Sequence, residues 1–307
     1  APAKDLVPEA DSLWQPRLYN IERWWPHSKL QTLKALRAVL DSAVLPQESR
    51  DLLDIAFCRT LIATSNAAFN HQSMSFKETE CAPCLFDFNE AEQVLACFEA
   101  EANIIFSSAH IDLPGSSRIV LGDSRQVDKF DLEPCDLLLT SPPYVNRMSY
   151  IRELRPYMYW LRYLGQASDA GELDWQAIGG TWGTATSKLL TWTPDVESIP
   201  IEGEIQEVRT LIERDGGKNG PLLGTYVVKY FHDMWAHFQA AFKHVKSGGT
   251  ASYIIGNSTF YGHIVPAERW YASLMREAGF TQVTVTTIRK RNSNKALYEY
   301  EVSGRRP

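Results

Sequence analysis

The sequence contains no run of about 18 apolar residues, so nothing in it reads as a membrane-spanning helix. Its first residues, Ala1 to Asp11, are polar and acidic and lack the apolar stretch of a signal peptide. The chain begins without Met, which fits a processed product or a fragment. A disulfide framework is also missing. The five cysteines, Cys58, Cys81, Cys84, Cys97 and Cys135, are odd in number and irregularly spaced. Cys81-Ala-Pro-Cys84 is a lone C-x-x-C, and a structural zinc needs two more ligands, so no metal site is expected. These absences fit a reducing compartment; the expected location is the cytoplasm, with no membrane partner. Basic charge is scarce as well: 31 Lys and Arg stand against 37 Asp and Glu, for a net charge of −6. A nucleic-acid-binding protein usually carries a basic face. Here such a face has to come from local clusters, Arg147, Arg152 and Arg155 in the middle of the chain and Arg289, Lys290, Arg291 and Lys295 near its end.

What is present is an ordinary globular composition, 44% hydrophobic and 22% charged, in a chain of 307 residues that suits one large α/β domain with an insertion or two smaller domains. No internal repeat or low-complexity tract interrupts it. The first third reads as helical. Leu30, Leu33, Leu36, Val39 and Leu40 recur at helical spacing; a second stripe runs from Leu52 to Leu61 and a third from Val94 to Ile105. Between the last two, Asn66 to Asn89 reads as a long loop. Trp24-Trp25-Pro26 reads as core packing, while Asn70-His71-Gln72-Ser73 is polar enough to touch a polar ligand.

From Arg118 the character changes. Ile119-Val120-Leu121 and Asp136 to Thr140 are short apolar runs of the kind that form strands buried on both faces. A helix is expected over about Met148 to Leu164 and another over Tyr226 to Val245. A strand is expected over Ala251 to Ile255, a helix from Pro266 to about Ala278 with Gly279 as its stop, and strands over Val283 to Ile288 and Leu297 to Val302. Gly165 to Gly220 reads as irregular. The three runs Ile119–Leu121, Leu137–Leu139 and Ala251–Ile255 are expected to be parallel strands of one sheet. Each ends in a polar turn: Gly122-Asp123-Ser124, Ser141-Pro142-Pro143 and Gly256-Asn257-Ser258. Ligands of open α/β sheets bind at the carboxyl ends of strands, so the three turns are expected to face one crevice.

Ser141-Pro142-Pro143-Tyr144 carries a specific chemistry. An exocyclic amine on a nucleobase is a poor nucleophile, because its lone pair is delocalised into the ring. A site that alkylates it must accept hydrogen bonds from the NH2 group and hold the nitrogen in line with the incoming carbon. The Ser141 hydroxyl oxygen and the Pro142 carbonyl can accept. Two successive prolines have fixed φ and no N–H, so the loop is stiff and presents carbonyls. Tyr144 can stack on a base flipped out of a duplex.

Asp136 to Tyr144, DLLLTSPPY, resembles the catalytic motif of the DNA amino-methyltransferases, whose Ser form is more typical of the cytosine-N4 enzymes. Gly122-Asp123-Ser124 resembles the segment whose Asp approaches the adenine of S-adenosylmethionine, and Ser247 to Ser258 resembles the later strand on the target-base side. The resemblance covers about Arg118 to Val302 and implies a class I S-adenosylmethionine-dependent methyltransferase fold, a Rossmann-like α/β sheet of seven strands with helices on both faces. It also implies double-stranded DNA as partner, base flipping, and S-adenosyl-L-methionine as cofactor. On it Ser141, Pro142, Pro143 and Tyr144 are the expected catalytic residues. Asp123, Ser124 and Thr140 are the expected cofactor contacts, and Asn146, Arg147, Asn257 and Ser258 the expected substrate contacts. The implied product is N4-methylcytosine, as in a restriction–modification system. Adenine-N6 or RNA base methylation would use the same loop chemistry; a non-catalytic DNA-recognition or assembly subunit is the alternative that an absent cofactor loop favours and the intact Ser141 to Tyr144 motif speaks against.

The family's glycine-rich cofactor loop, Phe-x-Gly-x-Gly after the first strand, has no counterpart here. Gly179-Gly180-Thr181-Trp182-Gly183 is glycine-rich, but no apolar strand leads into it. The family's first two strands sit between the strand ending at Asp123 and the strand ending at Thr140. The sheet is therefore expected to be incomplete at its N-terminal strands, with a longer N-terminus or a second polypeptide supplying the strands and the loop. The expected organisation is a helical region over 1–112 and a catalytic core over 113–307, with 165–220 a loop-rich insertion carrying target recognition.

Overall fold

A computed structural model of the chain describes residues 5, 11–68, 75–76, 90–146, 149–181, 183–291 and 296–307. Asn70 to Ser73, Cys81, Cys84, Arg147, Met148, Trp182 and Lys295 lie outside the described residues. The chain divides into two compact units: 1–117 with 151–170, and 118–150 with 171–307.

The first unit is helical. It holds α1 (Ile21–Trp24), α2 (His27–Ser42), α3 (Gln47–Ala63), a two-residue pairing of β1 (Ala67–Ala68) with β2 (Ser75–Phe76), and α4 (Glu90–Ala109). The stripes read from the sequence are its buried faces: Leu30, Leu33, Leu36 and Leu40 on α2, and Ala56, Phe57 and Leu61 on α3. Most of α5 (Tyr150–Trp160) belongs to this unit, and Trp160 shows why. Its indole is fully buried, with Trp25, Phe57 and Trp14 packed edge-on at centroid distances of 5.8, 5.6 and 6.1 Å. Trp25 is itself fully buried and donates its indole N–H to the Leu61 carbonyl at 2.9 Å, so the polar end of the ring is satisfied inside the core. This compact unit runs to 117, past its last helix, and takes in 151–170, whereas the sequence suggests a helical region over 1–112.

The second unit is α/β. Its sheet has the order β3 (Cys135–Thr140), β4 (Val245–Gly256), β8 (Tyr298–Arg305) and β7 (Thr281–Lys290). β3 and β4 are parallel, with Leu138 beside Ala251 and Thr140 beside Tyr253. β8 runs antiparallel to both β4 and β7, so the last two strands form the expected hairpin. Before the sheet's central strand comes α9 (Gly220–His244), preceded by α6 (Ala167–Gln176), α7 (Thr184–Thr191) and α8 (Glu202–Asp215). A short hairpin of β5 (Ser258–Phe260) and β6 (His263–Val265) follows β4 and leads into α10 (Ala267–Ala278).

Alternation along β4 sends Ala251, Tyr253 and Ile255 to one face, where they join Val302 of β8 in a core with Phe231 and Phe238 of α9 and Trp270, Tyr271 and Met275 of α10. Burying each such side chain stabilises the unit by roughly 1.5–3 kcal/mol. α10 stops where Gly279 enters the left-handed region at φ +112°, a conformation that disfavours a side chain; there its amide closes the last turn onto Arg276. On β3, Leu138 packs against the core, whereas Leu137 and Leu139 point the other way and are 57% and 66% exposed. β3 pairs on one side only among the described residues.

Two expectations need correction. Ile119-Val120-Leu121 is not a strand: it runs as irregular chain, with Ile119 and Leu121 fully exposed. An apolar run becomes a strand only beside a neighbour that takes up its backbone donors and acceptors, and none of the described strands pairs with this one. The parallel set thus reduces to β3 and β4. The segment 165–220 is not irregular either, since α6, α7 and α8 occupy much of it. Short amphipathic helices interrupted by Gly and Trp leave too few turns for the period to show in sequence.

Candidate active site

The parallel pairing of β3 and β4 brings their carboxyl ends side by side. Ser141, the first residue past β3, is exposed and donates its hydroxyl proton to the Ile254 carbonyl of β4 at 3.2 Å. A hydroxyl that donates to the neighbouring strand keeps its lone pairs for an incoming donor. The next residues are fixed from below. Val145 is fully buried, Asn146 donates its amide to the Tyr144 carbonyl at 2.7 Å, and the Tyr230 hydroxyl of α9 donates to the Pro143 carbonyl at 2.5 Å. Tyr230 also shares a hydrogen bond of 2.6 Å with the Tyr271 hydroxyl. Burial raises both phenols well above their ordinary range, so they stay protonated donors. The Pro142 carbonyl accepts from no described residue. In two successive residues, then, the loop holds two oxygen acceptors, the Ser141 hydroxyl and the Pro142 carbonyl.

Tyr144 is held at its far end. Its hydroxyl donates to Glu299 Oε1 on β8 at 2.9 Å, while Glu299 Oε2 is paired with Arg289 on β7. The Arg289 hydrogen bond is the main influence holding the Glu299 carboxyl below its usual value; burial opposes it and the Tyr144 hydroxyl adds to it. Burial, and then the Glu299 carboxylate, raise the Tyr144 phenol, so the proton stays on tyrosine. The Arg291 guanidinium lies 5.2 Å from the centroid of the Tyr144 ring, within cation–π range. It reaches that position by donating to the Asn257 and Tyr298 carbonyls, and it passes directly over Gly256. A β-carbon at Gly256 would meet its Cζ at 2.6 Å.

Asn257 and Ser258 follow Gly256. Asn257 is buried; its side-chain amide donates to the Ala296 carbonyl at 3.1 Å and its oxygen accepts from the Tyr298 amide at 2.8 Å, tying β4 to the hairpin. Ser258 is also buried, and its hydroxyl has no hydrogen-bond partner among the described residues. Such an orphan costs about 1–3 kcal/mol unless something fills it. Asn146 is exposed.

Asp123 and Ser124 open a 3-10 turn over Ser124–Lys129. The turn is tied to the sheet through His237 of α9. Its Nδ1–H donates to the Ser124 carbonyl at 2.8 Å, and its Nε2 takes the Tyr253 hydroxyl proton at 3.0 Å, beside Thr140 in the sheet register. Burial pushes the imidazole pKa down, in keeping with this neutral tautomer. The Asp123 carboxylate is engaged by the Arg125 guanidinium through both oxygens, at 2.8–3.0 Å, and by the Arg125 amide at 2.9 Å. Burial works to raise its pKa, and these bonds outweigh it and hold the carboxyl low. Arg125 continues to Asp233 at 2.8 Å, and Asp233 to Lys229 at 2.6 Å.

The structure thus groups Ser141 to Tyr144 with Asn257 at one end of the sheet and places Asp123 in a separate ion network. Glu299, Gly256 and the stacking role of Arg291 escape a reading of the sequence. The alternation Tyr298-Glu299-Tyr300-Glu301 in the last strand is the signal that could have marked a carboxylate on the same face as the loop.

Over 178 residues the chain is 24% identical to the type II methyltransferase M.BsoBI of Geobacillus stearothermophilus, a stretch that covers 52% of this chain and 34% of that protein. The chain spans about a third of that relative's length. No protein-family model and no solved structure matches it.

Proposed function

We propose that this chain is the catalytic portion of a DNA amino-methyltransferase that transfers a methyl group from S-adenosyl-L-methionine to the exocyclic amine of a flipped base in double-stranded DNA, with Ser141 to Tyr144 as the active-site loop. The observation that carries it is the loop itself: two acceptors, the Ser141 hydroxyl and the Pro142 carbonyl, on a braced turn beside an aromatic ring. The similarity to a type II methyltransferase supports it. So does the sheet, whose parallel β3–β4 pair and terminal hairpin fit the C-terminal part of a class I methyltransferase sheet.

In this mechanism the two oxygens accept the two N–H bonds of the target amine. Accepting them rotates the lone pair out of conjugation with the ring, and the stiffness of Pro142-Pro143 keeps the nitrogen in one place. The base is cytosine and the product N4-methylcytosine, because the acceptor at this position is a neutral hydroxyl rather than a carboxylate. Tyr144 stacks on the flipped base with the part of its ring that the core and Arg291 leave uncovered. Asn146 and the buried Asn257 and Ser258 belong to the substrate side, Ser258 with a hydroxyl that has no partner among the described residues; Arg147, next to Asn146 in sequence, is assigned there as well.

The cofactor would bring the methyl group as an electrophile. The residues described do not by themselves make its cradle: Asp123 is fully engaged by Arg125, Ser124 and Thr140 offer little else, and no strand leads into a glycine-rich turn. The free edge of β3, with Leu137 and Leu139 exposed, is where the family's missing strands would pair. A preceding segment or a second polypeptide supplies them there, together with the glycine-rich loop. The segment 165–220 carries target recognition. The test is methyl transfer to duplex DNA by the complete enzyme and by its Ser141→Ala variant: a strongly slowed variant that still binds DNA supports the assignment, and an unslowed one removes Ser141 from the chemistry.

A further inference from the structure

Resting on the loop as proposed above, we infer that Glu299 is a positioning residue for Tyr144, setting the ring in the orientation that receives the base before any DNA arrives. Tyr144 lies in a stretch without regular secondary structure; its ring packs against the core, and its backbone is held through Val145, the Asn146 amide and the neighbouring Pro143 carbonyl. These contacts place the base of the side chain, and a further bond at the hydroxyl fixes the direction of the ring. That far end is bonded across 155 positions of sequence to Glu299 Oε1. That carboxylate stands on β8, a strand paired on both sides, and its second oxygen is locked by Arg289, its direct neighbour on β7. The two oxygens thus divide their work, Oε1 aiming Tyr144 and Oε2 fixing the carboxylate itself. Arg291 stands over the ring and the core packs against it, so the ring is held on more than one side. The arrangement presets a stacking platform on a rigid post, so the cost of ordering the ring is met in folding rather than in binding.

Glu299 touches neither base nor reacting atoms in this account, so its loss acts through Tyr144. Glu299→Leu should raise KM for DNA by roughly 5- to 10-fold while kcat stays within about twofold, a fraction of the effect of losing the stack entirely in Tyr144→Ala. Tyr144→Phe, which removes the hydroxyl and keeps the ring, should raise KM to the same degree. The double variant Tyr144→Phe/Glu299→Leu should be no worse than either single one, because both remove one shared bond. Glu299→Gln keeps an oxygen acceptor for the phenol and should stay close to the unmodified KM. All five are measured in the complete enzyme by steady-state methylation of duplex DNA, with thermal melting alongside. An unchanged KM in Glu299→Leu, or additive effects in the double variant, overturns the inference. If Tyr144→Ala itself leaves KM unchanged, the stacking role fails and the inference falls with it. If Tyr144→Ala raises KM and Glu299→Leu does not, only the positioning role is lost.

Discussion

Gly256→Ala sets two opposing effects against each other, and the structure says which wins. Gly256 does not adopt a positive φ, so its backbone suits alanine, and in open space the change would stabilise by about 0.4–1 kcal/mol through the unfolded chain. The space is not open. The new β-carbon would sit 2.6, 2.7 and 2.9 Å from Cζ, Nη2 and Nε of Arg291. The guanidinium must move, and with it go its bonds to the Asn257 and Tyr298 carbonyls and its place over Tyr144. One charged hydrogen bond contributes about 1.5–3 kcal/mol and the cation–π contact about 0.5–1. With one of the two bonds re-formed elsewhere, subtracting the entropic gain leaves a net destabilisation of about 1–3.5 kcal/mol, or several degrees in Tm for a chain of this size. Urea denaturation of the single variant measures it. The control is the same substitution in an Arg291→Ala background, where the obstacle is gone and Gly256→Ala should become neutral or stabilising. A single variant as stable as the unmodified chain would refute the placement of Arg291 over Gly256 and with it the platform built on Tyr144.

His237 is held neutral by burial, with a pKa below its usual 6.5. The unfolded chain therefore takes up a proton that the folded one refuses, so this contribution to stability is full above pH 6.5 and shrinks as the pH falls below it. Thermal melts of the unmodified chain and His237→Gln across that range should converge towards low pH, and parallel curves would contradict the assignment. Leu139→Lys, at an exposed position on the free edge of β3, should change the stability of this chain by no more than about 0.5 kcal/mol yet abolish methylation by the complete enzyme; full activity of that variant would show that no strand pairs there. Tyr144→Ala should weaken base capture by roughly 1–3 kcal/mol, whereas Ser141→Ala should slow turnover with DNA binding nearly intact. Fluorescence of a 2-aminopurine at the target position separates the two.

The α/β unit was largely legible because its elements are long and periodic. α9, α10, β4 and the closing hairpin all lie where their apolar patterns put them, though α9 and β4 each begin six residues before the expected start. Ile119-Val120-Leu121 has the same local pattern as Leu137-Leu138-Leu139, and only pairing separates them: Leu138 lies beside Ala251, whereas Ile119 to Leu121 have no strand beside them among the described residues. Sequence shows the propensity but not the neighbour. The site divides along the same line. Ser141 to Tyr144 are contiguous, so their chemistry is visible in four letters. Glu299, Arg289 and Arg291 reach Tyr144 only because β8 pairs with β4 and β7 with β8. Trp160 escaped for a like reason, since its core partners Trp14, Trp25 and Phe57 come from far upstream.

The most direct test of the central claim is the chemical identity of what the enzyme leaves on DNA. Duplex DNA is incubated with the complete enzyme and S-adenosylmethionine carrying a deuterated methyl group, digested to nucleosides and resolved by mass spectrometry. Labelled N4-methylcytosine, absent when Ser141→Ala/Tyr144→Ala replaces the unmodified chain, is the predicted result. Label on adenine N6 alone would overturn the choice of base and leave the amine chemistry standing. Label on a ring carbon, or a full yield of methylated amine from the double variant, would contradict the claim that the Ser141 to Tyr144 loop performs the transfer.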